Sequence, residues 1–191
     1  MKRRKALLGI SLLTGGAILS YLGFKWIRLN SAADLDYLKA SKKMLASLVD
    51  VIIPKTDSPS ASECNVHEFI IKMVTDCTEV NEQNNFVLGL KALEDYCLSK
   101  VGKSFLTCSD QEKIQVLTYF ENKDKPQPGS IGKIQRKFMG KSFFATLREY
   151  SVIGYFSSEQ GAKQALQYSH IPGRYSACEP YTQGGKAWAT F

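Results

Sequence analysis

The stretch FFATLREYSVIGYFSSEQGAKQALQYSHIPGRYSACEPYTQGGKAW, residues 143–188, decides how this chain folds. Its first part, which ends at Tyr155, is too apolar to have a clean polar face. It therefore predicts a central helix that begins near Ile134 or Phe138. Ser157-Ser158 then offers an N-cap for a short helix. The remainder is rich in Tyr, Pro, Gly and Trp and has no usable period, so it stays ordered only if its aromatic rings are buried against something larger.

Four further helices are predicted upstream from apolar residues at helical spacing. Their predicted N-terminal residues are Asp34 or Asp36, Asn65, Glu82 and Ser109. Glu68 and Glu112 stand three residues after Asn65 and Ser109, as capping-box partners do. The residues expected to face inward are Leu35, Leu38, Leu45, Leu48, Val49, Ile52, Val66, Phe69, Ile70, Met73, Val74, Cys77, Phe86, Leu90, Leu93, Cys97, Leu98, Ile114, Leu117 and Phe120. Since no sustained alternating run occurs, the sequence predicts an all-α fold, a small helical bundle with a long irregular C-terminal segment.

The basic charge of the chain is concentrated at its N-terminus. The formal net charge is +7, but six of the 25 lysines and arginines lie in residues 1–30, where there is no acid. In the rest of the chain 19 basic residues stand against 18 acidic ones. A nucleic-acid-binding protein carries its basic patch on the folded body, so no nucleic-acid partner is expected.

Residues 1–33 have the layout of an export signal or signal anchor, which leaves residues 34–191 as a single helical domain. Four basic residues, among them Arg3 and Arg4, precede an uncharged run of 19 residues, 6–24. The twin-arginine export pattern is matched at Arg3, Arg4 and Leu7, whereas Ala6 and Leu8, on either side of Leu7, depart from it. The alternative is a plain signal anchor whose arginines only set orientation. We expect an exported, periplasmic protein, anchored to the inner membrane if this helix is not cleaved.

Motifs for phosphate or metal binding are weak in this sequence. Gly102-Lys103-Ser104 lacks the earlier glycine and the preceding strand of a phosphate loop, and a helix C-cap explains Gly102 better. His67 and His170 have no companions at metal-ligand spacing, and His67 is expected at the surface or beside a helix cap. The basic cluster of Lys133, Arg136, Lys137 and Lys141 is interpreted as a solvated helix face. We therefore assign no catalytic, cofactor-binding or metal-binding residue.

The five cysteines contain no C-x-x-C pair, which argues against zinc ribbons, thioredoxin chemistry and covalently bound c-type haem. Cys77 and Cys97 lie on apolar helix faces and are expected to be small buried residues. An oxidising compartment would permit one disulfide. Because the number of cysteines is odd, at least one of them stays a free thiol within the chain. The sequence does not give the connectivity.

The C-terminal segment is the best candidate for a functional surface. Aromatic residues cluster there, and aromatic residues are enriched in the cores of protein interfaces. The alternative is that they pack on the chain's own helices, and both can hold for different residues. The residues expected at a partner interface are Tyr155, Phe156, Ser157, Ser158, Tyr168, Ile171, Pro172, Tyr175 and Trp188.

Two separated motifs, in the same order, resemble the gluconate 2-dehydrogenase subunit 3 family. The first is Ile52-Ile53-Pro54-x-Thr56-Asp57-Ser58-Pro59-Ser60-Ala61, followed by Val66-x-x-Phe69-Ile70. The second is Gly154-Tyr155-Phe156-Ser157-Ser158-Glu159-x-Gly161, followed by Tyr168, Ile171-Pro172-Gly173-x-Tyr175, Cys178 and Gly185-Lys186-Ala187-Trp188. Cys178 in the second motif is a candidate for a disulfide whose partner is not assigned.

The resemblance implies a non-catalytic accessory subunit of a periplasmic, membrane-associated sugar or sugar-acid dehydrogenase. A large flavoprotein of the glucose–methanol–choline type would carry FAD, a cytochrome c subunit with haem c would accept electrons, and this chain would hold no cofactor. Its signal would take the folded flavoprotein through the twin-arginine machinery. Two alternatives are an exported enzyme with His170, Tyr168 and Arg174 in a pocket, and a module that only tethers a partner to the membrane.

Overall fold

In the computed structural model, the described residues are 20, 31–125, 140–171, 173, 178, 180 and 183–189. They form seven α-helices and no strand, which confirms the predicted all-α fold. The helices are α1 Leu35–Ala40, α2 Lys42–Ile52, α3 Val66–Asp76, α4 Val80–Tyr96, α5 Asp110–Asp124, α6 Phe143–Ser157 and α7 Glu159–Ala165. A π-helix, Cys97–Val101, and a 3-10 helix, Phe105–Thr107, join α4 to α5.

Helix α6 is the central element, as its apolar sequence predicts. It contacts α2, α3, α4, α5 and α7. Two glycines allow these close approaches: a Cβ added to Gly89 of α4 would lie 2.2 Å from Phe143, and one added to Gly154 would lie 2.6 Å from Phe69 of α3. At the start of α6, the Phe143 ring packs 5.3 Å from the ring of Phe86. The core is thus built around the helix that leads into the C-terminal segment.

The first two helix starts differ in part from the prediction. Asp34 caps α1 by accepting a hydrogen bond from the Tyr37 amide at 3.0 Å, but the predicted first helix is divided in two at Ser41. Asn65 precedes α3 in a left-handed conformation, with φ of 57°, and its side chain makes no cap hydrogen bond. The capping box predicted with Glu68 is therefore wrong, and the Glu68 carboxylate pairs with Lys42 instead. The capping box at Ser109 is confirmed.

The core contains most of the residues expected to face inward, and three exceptions have local causes. Leu98 is 54% exposed because it lies in the wider π-helical turn, in which the Gly102 amide donates to the carbonyl of Cys97. Ile114 is 53% exposed because the face of α5 that packs into the core is formed by Val116, Leu117 and Phe120 instead. The third exception is Cys77, which is exposed at the end of α3, whereas Cys97 is buried as predicted.

His67 is buried, so the prediction of a surface position is wrong. His67 is 9% exposed, and its Nδ1 atom has no hydrogen-bond partner among the described residues. Burial is the main cause that lowers the pKa of His67 below its usual value, because the charged ring would lose its hydration. The first turn of α3 faces inward here because α2 packs against that helix.

Candidate functional site

The junction between α6 and α7 is a tight turn fixed by Ser158. The Ser158 hydroxyl accepts a hydrogen bond from the Gly161 amide at 3.0 Å and donates to the Tyr155 carbonyl at 2.7 Å. Ser158 is thus the N-cap that the sequence predicts for the short helix. A Cβ on Gly161 would lie 2.0 Å from the Tyr155 carbonyl oxygen. Only glycine permits this approach, which holds α7 directly against the end of α6.

Tyr155 joins the two sequence motifs inside the core. Its side chain is 2% exposed, and its hydroxyl donates a hydrogen bond to the Pro59 carbonyl oxygen at 2.8 Å. The sequence predicts Tyr155 at a partner interface, but the buried ring cannot contact another chain. Its role in this structure is to fix the end of α6 against the segment between α2 and α3.

The segment between α2 and α3 is held in place by two acidic side chains. Asp50 accepts hydrogen bonds from the Ser62 amide at 2.8 Å and from the Ser62 hydroxyl at 2.6 Å. Glu63 accepts from the Ser60 amide at 3.0 Å and pairs with Lys55. The carbonyl that receives the Tyr155 hydroxyl is therefore part of an ordered segment, and residues 54–57 of that segment are exposed.

An apolar strip lies on the outer face of α6, formed by Val152, Ile153 and Phe156. These side chains are 43%, 45% and 42% exposed. The Phe156 ring packs edge-on against the buried Tyr155 ring, with centroids 5.3 Å apart. Val152 and Phe156 are four residues apart and so share one face of the helix. A rigid, partly exposed aromatic ring on a central helix is well suited to contact a partner.

The end of the chain returns to the residues after α7. Gln167 forms an isolated parallel bridge with Trp188, in which the Gln167 amide donates to the Ala187 carbonyl at 2.7 Å and the Ala189 amide donates to the Gln167 carbonyl at 3.0 Å. This tail bridge places Trp188 opposite Gln167, whose neighbour in the chain is Tyr168. The two side chains are 47% and 42% exposed. Helix α7 has seven residues, which span about 10 Å, so these aromatics follow closely after the apolar strip.

The other residues expected at the interface are distributed as follows. Ile171 is 77% exposed, and Ser157 is exposed with its hydroxyl bonded to the Ile153 carbonyl at 2.6 Å. Cys178 is exposed. Pro172 and Tyr175 lie outside the described residues, as do the export-signal residues Arg3, Arg4 and Leu7.

The weaker candidates of the sequence have structural partners of their own. Gly102 adopts a left-handed C-cap with φ of 78°, as predicted, and Lys103 pairs with Glu112 at 3.4 Å. Lys141 of the basic cluster bonds both carboxylate oxygens of Glu149, and this contact raises the pKa of Lys141 above its usual value. The rest of that cluster lies outside the described residues.

His170 and Tyr168, which the enzyme alternative places in a pocket, do approach each other. The Tyr168 hydroxyl lies 3.4 Å from the His170 Nδ1 atom, and both residues are exposed. Arg174, the third residue of that alternative, lies outside the described residues. Within the described part of the chain, no group of three or more His, Cys, Asp or Glu side chains is placed to hold a metal ion. The helices described here also include none with the length and apolarity to span a membrane.

Sequence reasoning missed Val152 and Ile153 as surface residues. The only sequence signal for them is the lack of a polar face on α6, which is consistent with burial on one side and an apolar exposed strip on the other. It also missed the contact between Tyr155 and Pro59, because the two residues are 96 positions apart and no local pattern connects them.

A comparison with known protein families supports the resemblance that the two sequence motifs indicate. The sequence profile of Gluconate 2-dehydrogenase subunit 3 matches residues 39–173, well over half of the chain. This chain belongs to the gluconate 2-dehydrogenase subunit 3 family. Its membership identifies it as a subunit of an oxidoreductase complex, which is consistent with an accessory role. The match includes α6, α7 and Gln167, and it ends before Trp188, the other residue of the tail bridge.

No curated protein and no solved structure matches the chain.

Proposed function

We propose that this subunit 3 family member is a non-catalytic accessory subunit of a periplasmic, FAD-dependent sugar or sugar-acid dehydrogenase complex. Its role is to bind the large flavoprotein subunit of the glucose–methanol–choline type and to take it across the membrane by the twin-arginine route. In this proposal the flavoprotein holds FAD and transfers the hydride, and a cytochrome c subunit with haem c accepts the electrons. The chain contributes a surface and an export signal to the complex.

The exposed apolar strip on α6 is the observation that carries this proposal. Val152, Ile153 and Phe156 stand on a helix whose other face fills the core, so a partner that covers them would meet a surface that is already rigid. Burial of exposed apolar surface contributes roughly 25 cal/mol per Å². Ordering a mobile side chain on binding costs about 0.5–1.5 kcal/mol, and a ring already packed against Tyr155 reduces that cost.

The basic N-terminal segment, residues 1–30, supports the export role in this proposal. Residues 1–30 carry six basic residues and no acid, and Arg3-Arg4 is the pair that a twin-arginine signal presents. Because FAD is inserted into a folded protein, the flavoprotein needs an export system that moves folded cargo. A subunit that carries the signal must then hold its cargo before export, which requires a large and well-packed contact surface.

The decisive experiment is affinity purification of the full chain from the native host. We expect a much larger, yellow protein with a flavin absorbance spectrum to elute with it in constant proportion. Elution of the chain alone, from cells that contain an active dehydrogenase of this kind, would contradict the proposal.

The same preparation distinguishes the two alternatives. If the chain purified alone binds a flavin or oxidises a sugar, it is an enzyme in its own right, with Tyr168 and His170 as the first residues to substitute. If it is inactive and its N-terminus begins at Met1 in the membrane fraction, with no flavoprotein attached, it is a tethering module.

A further inference from the structure

Two buried cysteines lie on either side of the turn that joins α4 to α5. Cys97 begins the π-helix and is 0% exposed, and Cys108 follows the 3-10 helix and is 6% exposed. The Cys108 thiol is among the groups that raise the pKa of Cys97, after burial, so the two side chains are within interaction distance of each other. The Cys108 sulfur also lies 3.4 Å from the Ser104 carbonyl oxygen, to which its thiol donates. Neither sulfur has a role in the accessory function proposed above.

The backbone of this turn returns the chain on itself and brings the two cysteines together. Gly102 takes a left-handed conformation and donates its amide to the Cys97 carbonyl at 2.9 Å. The Phe105 amide then donates to the Glu94 carboxylate at 3.1 Å, which holds the 3-10 helix against the end of α4. The turn that carries both cysteines is therefore held by hydrogen bonds at its start and at the 3-10 helix.

We propose that Cys97 and Cys108 form a disulfide, made by thiol–disulfide exchange with an oxidant that itself carries a disulfide bond. This bond joins the end of α4 to the start of α5 and closes the turn covalently. It is independent of Cys178, the disulfide candidate of the sequence.

The exchange has two steps, and its atoms and electrons balance. Cys108, the more exposed of the two, loses its proton and attacks one sulfur of the oxidant, which forms a mixed disulfide and releases a thiolate. The Cys97 sulfur then attacks the Cys108 sulfur and expels the second thiol of the oxidant, which leaves with the Cys97 proton. The two cysteines are oxidised, and the oxidant's disulfide is reduced to two thiols.

The order of these steps follows from burial. Burial raises the pKa of Cys97 to about 12, so this thiol stays protonated at neutral pH and does not begin the exchange. Once the mixed disulfide has formed on Cys108, the sulfur under attack is close to Cys97. The Cys97 thiol gives up its proton to the departing sulfur as it attacks, and the high effective concentration of a neighbouring group compensates for its small thiolate fraction. A reducing compartment keeps both thiols, whereas an oxidising compartment favours the bond.

Peptide mapping tests the proposal directly, because trypsin places the two cysteines in different peptides. Residues 92–100 contain Cys97, and residues 104–113 contain Cys108. The purified full chain is incubated with oxidised glutathione until the exposed Cys77 is modified, then alkylated and digested without reductant. We expect one disulfide-linked species composed of these two peptides, which reductant converts into its two components. Recovery of both peptides as alkylated monomers, or linkage of either one to another cysteine, would overturn the proposal.

Thermal unfolding provides a second readout. Oxidation should raise the Tm of the wild-type chain by about 5–10 °C relative to the reduced chain. The rise should be lost in Cys108→Ala and retained in Cys64→Ala, a substitution at a half-buried cysteine outside the turn. An equal Tm for the oxidised and reduced wild-type chain, or an equal rise in both variants, would contradict the bond.

Discussion

The hydroxyl of Tyr155 donates a hydrogen bond to the carbonyl oxygen of Pro59 across 2.8 Å, inside the core of the protein. Pro59 belongs to the segment between α2 and α3, and Tyr155 to the last turn of α6. The two motifs by which the sequence resembles its family therefore meet in space at this buried contact, as they also do where Gly154 approaches Phe69. This contact sets the position of the α6 end, and with it the position of the apolar strip beside it.

Loss of this hydrogen bond should weaken the fold. Tyr155→Phe removes the donor and leaves the buried Pro59 carbonyl without it, which we expect to lower the free energy of unfolding by about 1–2 kcal/mol. Urea unfolding at equilibrium measures the change. As a control, Tyr119→Phe removes a hydroxyl from an exposed ring and should change the free energy of unfolding by less than about 0.5 kcal/mol. Equal values for the two variants would refute the role given to Tyr155.

The α6–α7 junction should not tolerate a side chain at Gly161. In Gly161→Ala the Cβ would meet the backbone oxygen of Tyr155, which cannot move aside as a side chain can. We expect the free energy of unfolding to fall by about 1–3 kcal/mol, although alanine is the better helix former by about 1 kcal/mol. Gly173→Ala is the matched control, since a Cβ at Gly173 meets no described residue within 4 Å. A stabilised Gly161→Ala variant would show that the junction is looser than described.

Truncation of the apolar strip should weaken binding of the flavoprotein without unfolding the chain. We expect Phe156→Ala to reduce the affinity for the flavoprotein about tenfold or more, because a central aromatic anchor contributes strongly to an interface. Ile114→Ala removes an apolar side chain of similar exposure on α5 and should leave the affinity unchanged. Binding of the purified subunits can be measured by calorimetry. The same affinity for both variants would place the partner elsewhere on the chain.

His67 should make the fold less stable in mild acid. Because burial lowers the pKa of His67 below 6.5, the unfolded chain takes up this proton at a higher pH than the folded chain does. Stability is therefore lost as the pH falls through 6.5 towards the lower pKa of the folded state. The charged groups around the ring are Glu68, Lys42 and Asp50, of which the lysine acts in the same direction as burial.

The experiment compares the wild-type chain with His67→Phe. The urea midpoint of each protein is measured at about pH 7.5 and about pH 5. We expect the midpoint to fall further between these pH values in the wild type than in the variant, because the loss of stability that arises from carboxylates is common to both proteins. Parallel losses in the two proteins would show that His67 does not contribute.

The arginine pair of the leader should be required for export of the flavoprotein. Arg3→Lys combined with Arg4→Lys keeps the charge but removes the pair, and we expect the flavoprotein to accumulate in the cytoplasm. Lys5→Arg leaves the pair intact and should not change its distribution. Flavoprotein activity in periplasmic and cytoplasmic fractions gives the result. Normal periplasmic activity of the double variant would exclude a twin-arginine route through this chain.

The helices could be predicted from the sequence because they depend on local spacing. Ser109 with Glu112 and Ser158 before Gly161 were identified as helix starts from a few residues each, and the apolar sequence of α6 predicted its central place. Ile114 and Leu98 were misplaced, because a small shift of the buried stripe and one π-helical turn decide their exposure. Local patterns do not record such shifts.

The candidate site could be predicted only in part. The aromatic residues near the C-terminus were recognisable by composition, and Phe156, Tyr168 and Trp188 are exposed as a contact surface requires. The burial of Tyr155 could not be predicted, because it depends on a carbonyl group far away in the sequence. Composition identifies an aromatic cluster, but only the packing distinguishes the ring that supports the surface from the rings that form it.

The tail bridge makes the last described residues part of the folded unit. Gln167 bonds the backbone on either side of Trp188, and the Lys186 side chain donates a hydrogen bond to the Gln164 carbonyl oxygen of α7. Residues 186–189 are therefore fastened to the end of α7 by backbone and side-chain bonds. A shortened chain that ends before Lys186 would take these partners away from the helix, so the C-terminus is not an appendage that can be trimmed at no cost.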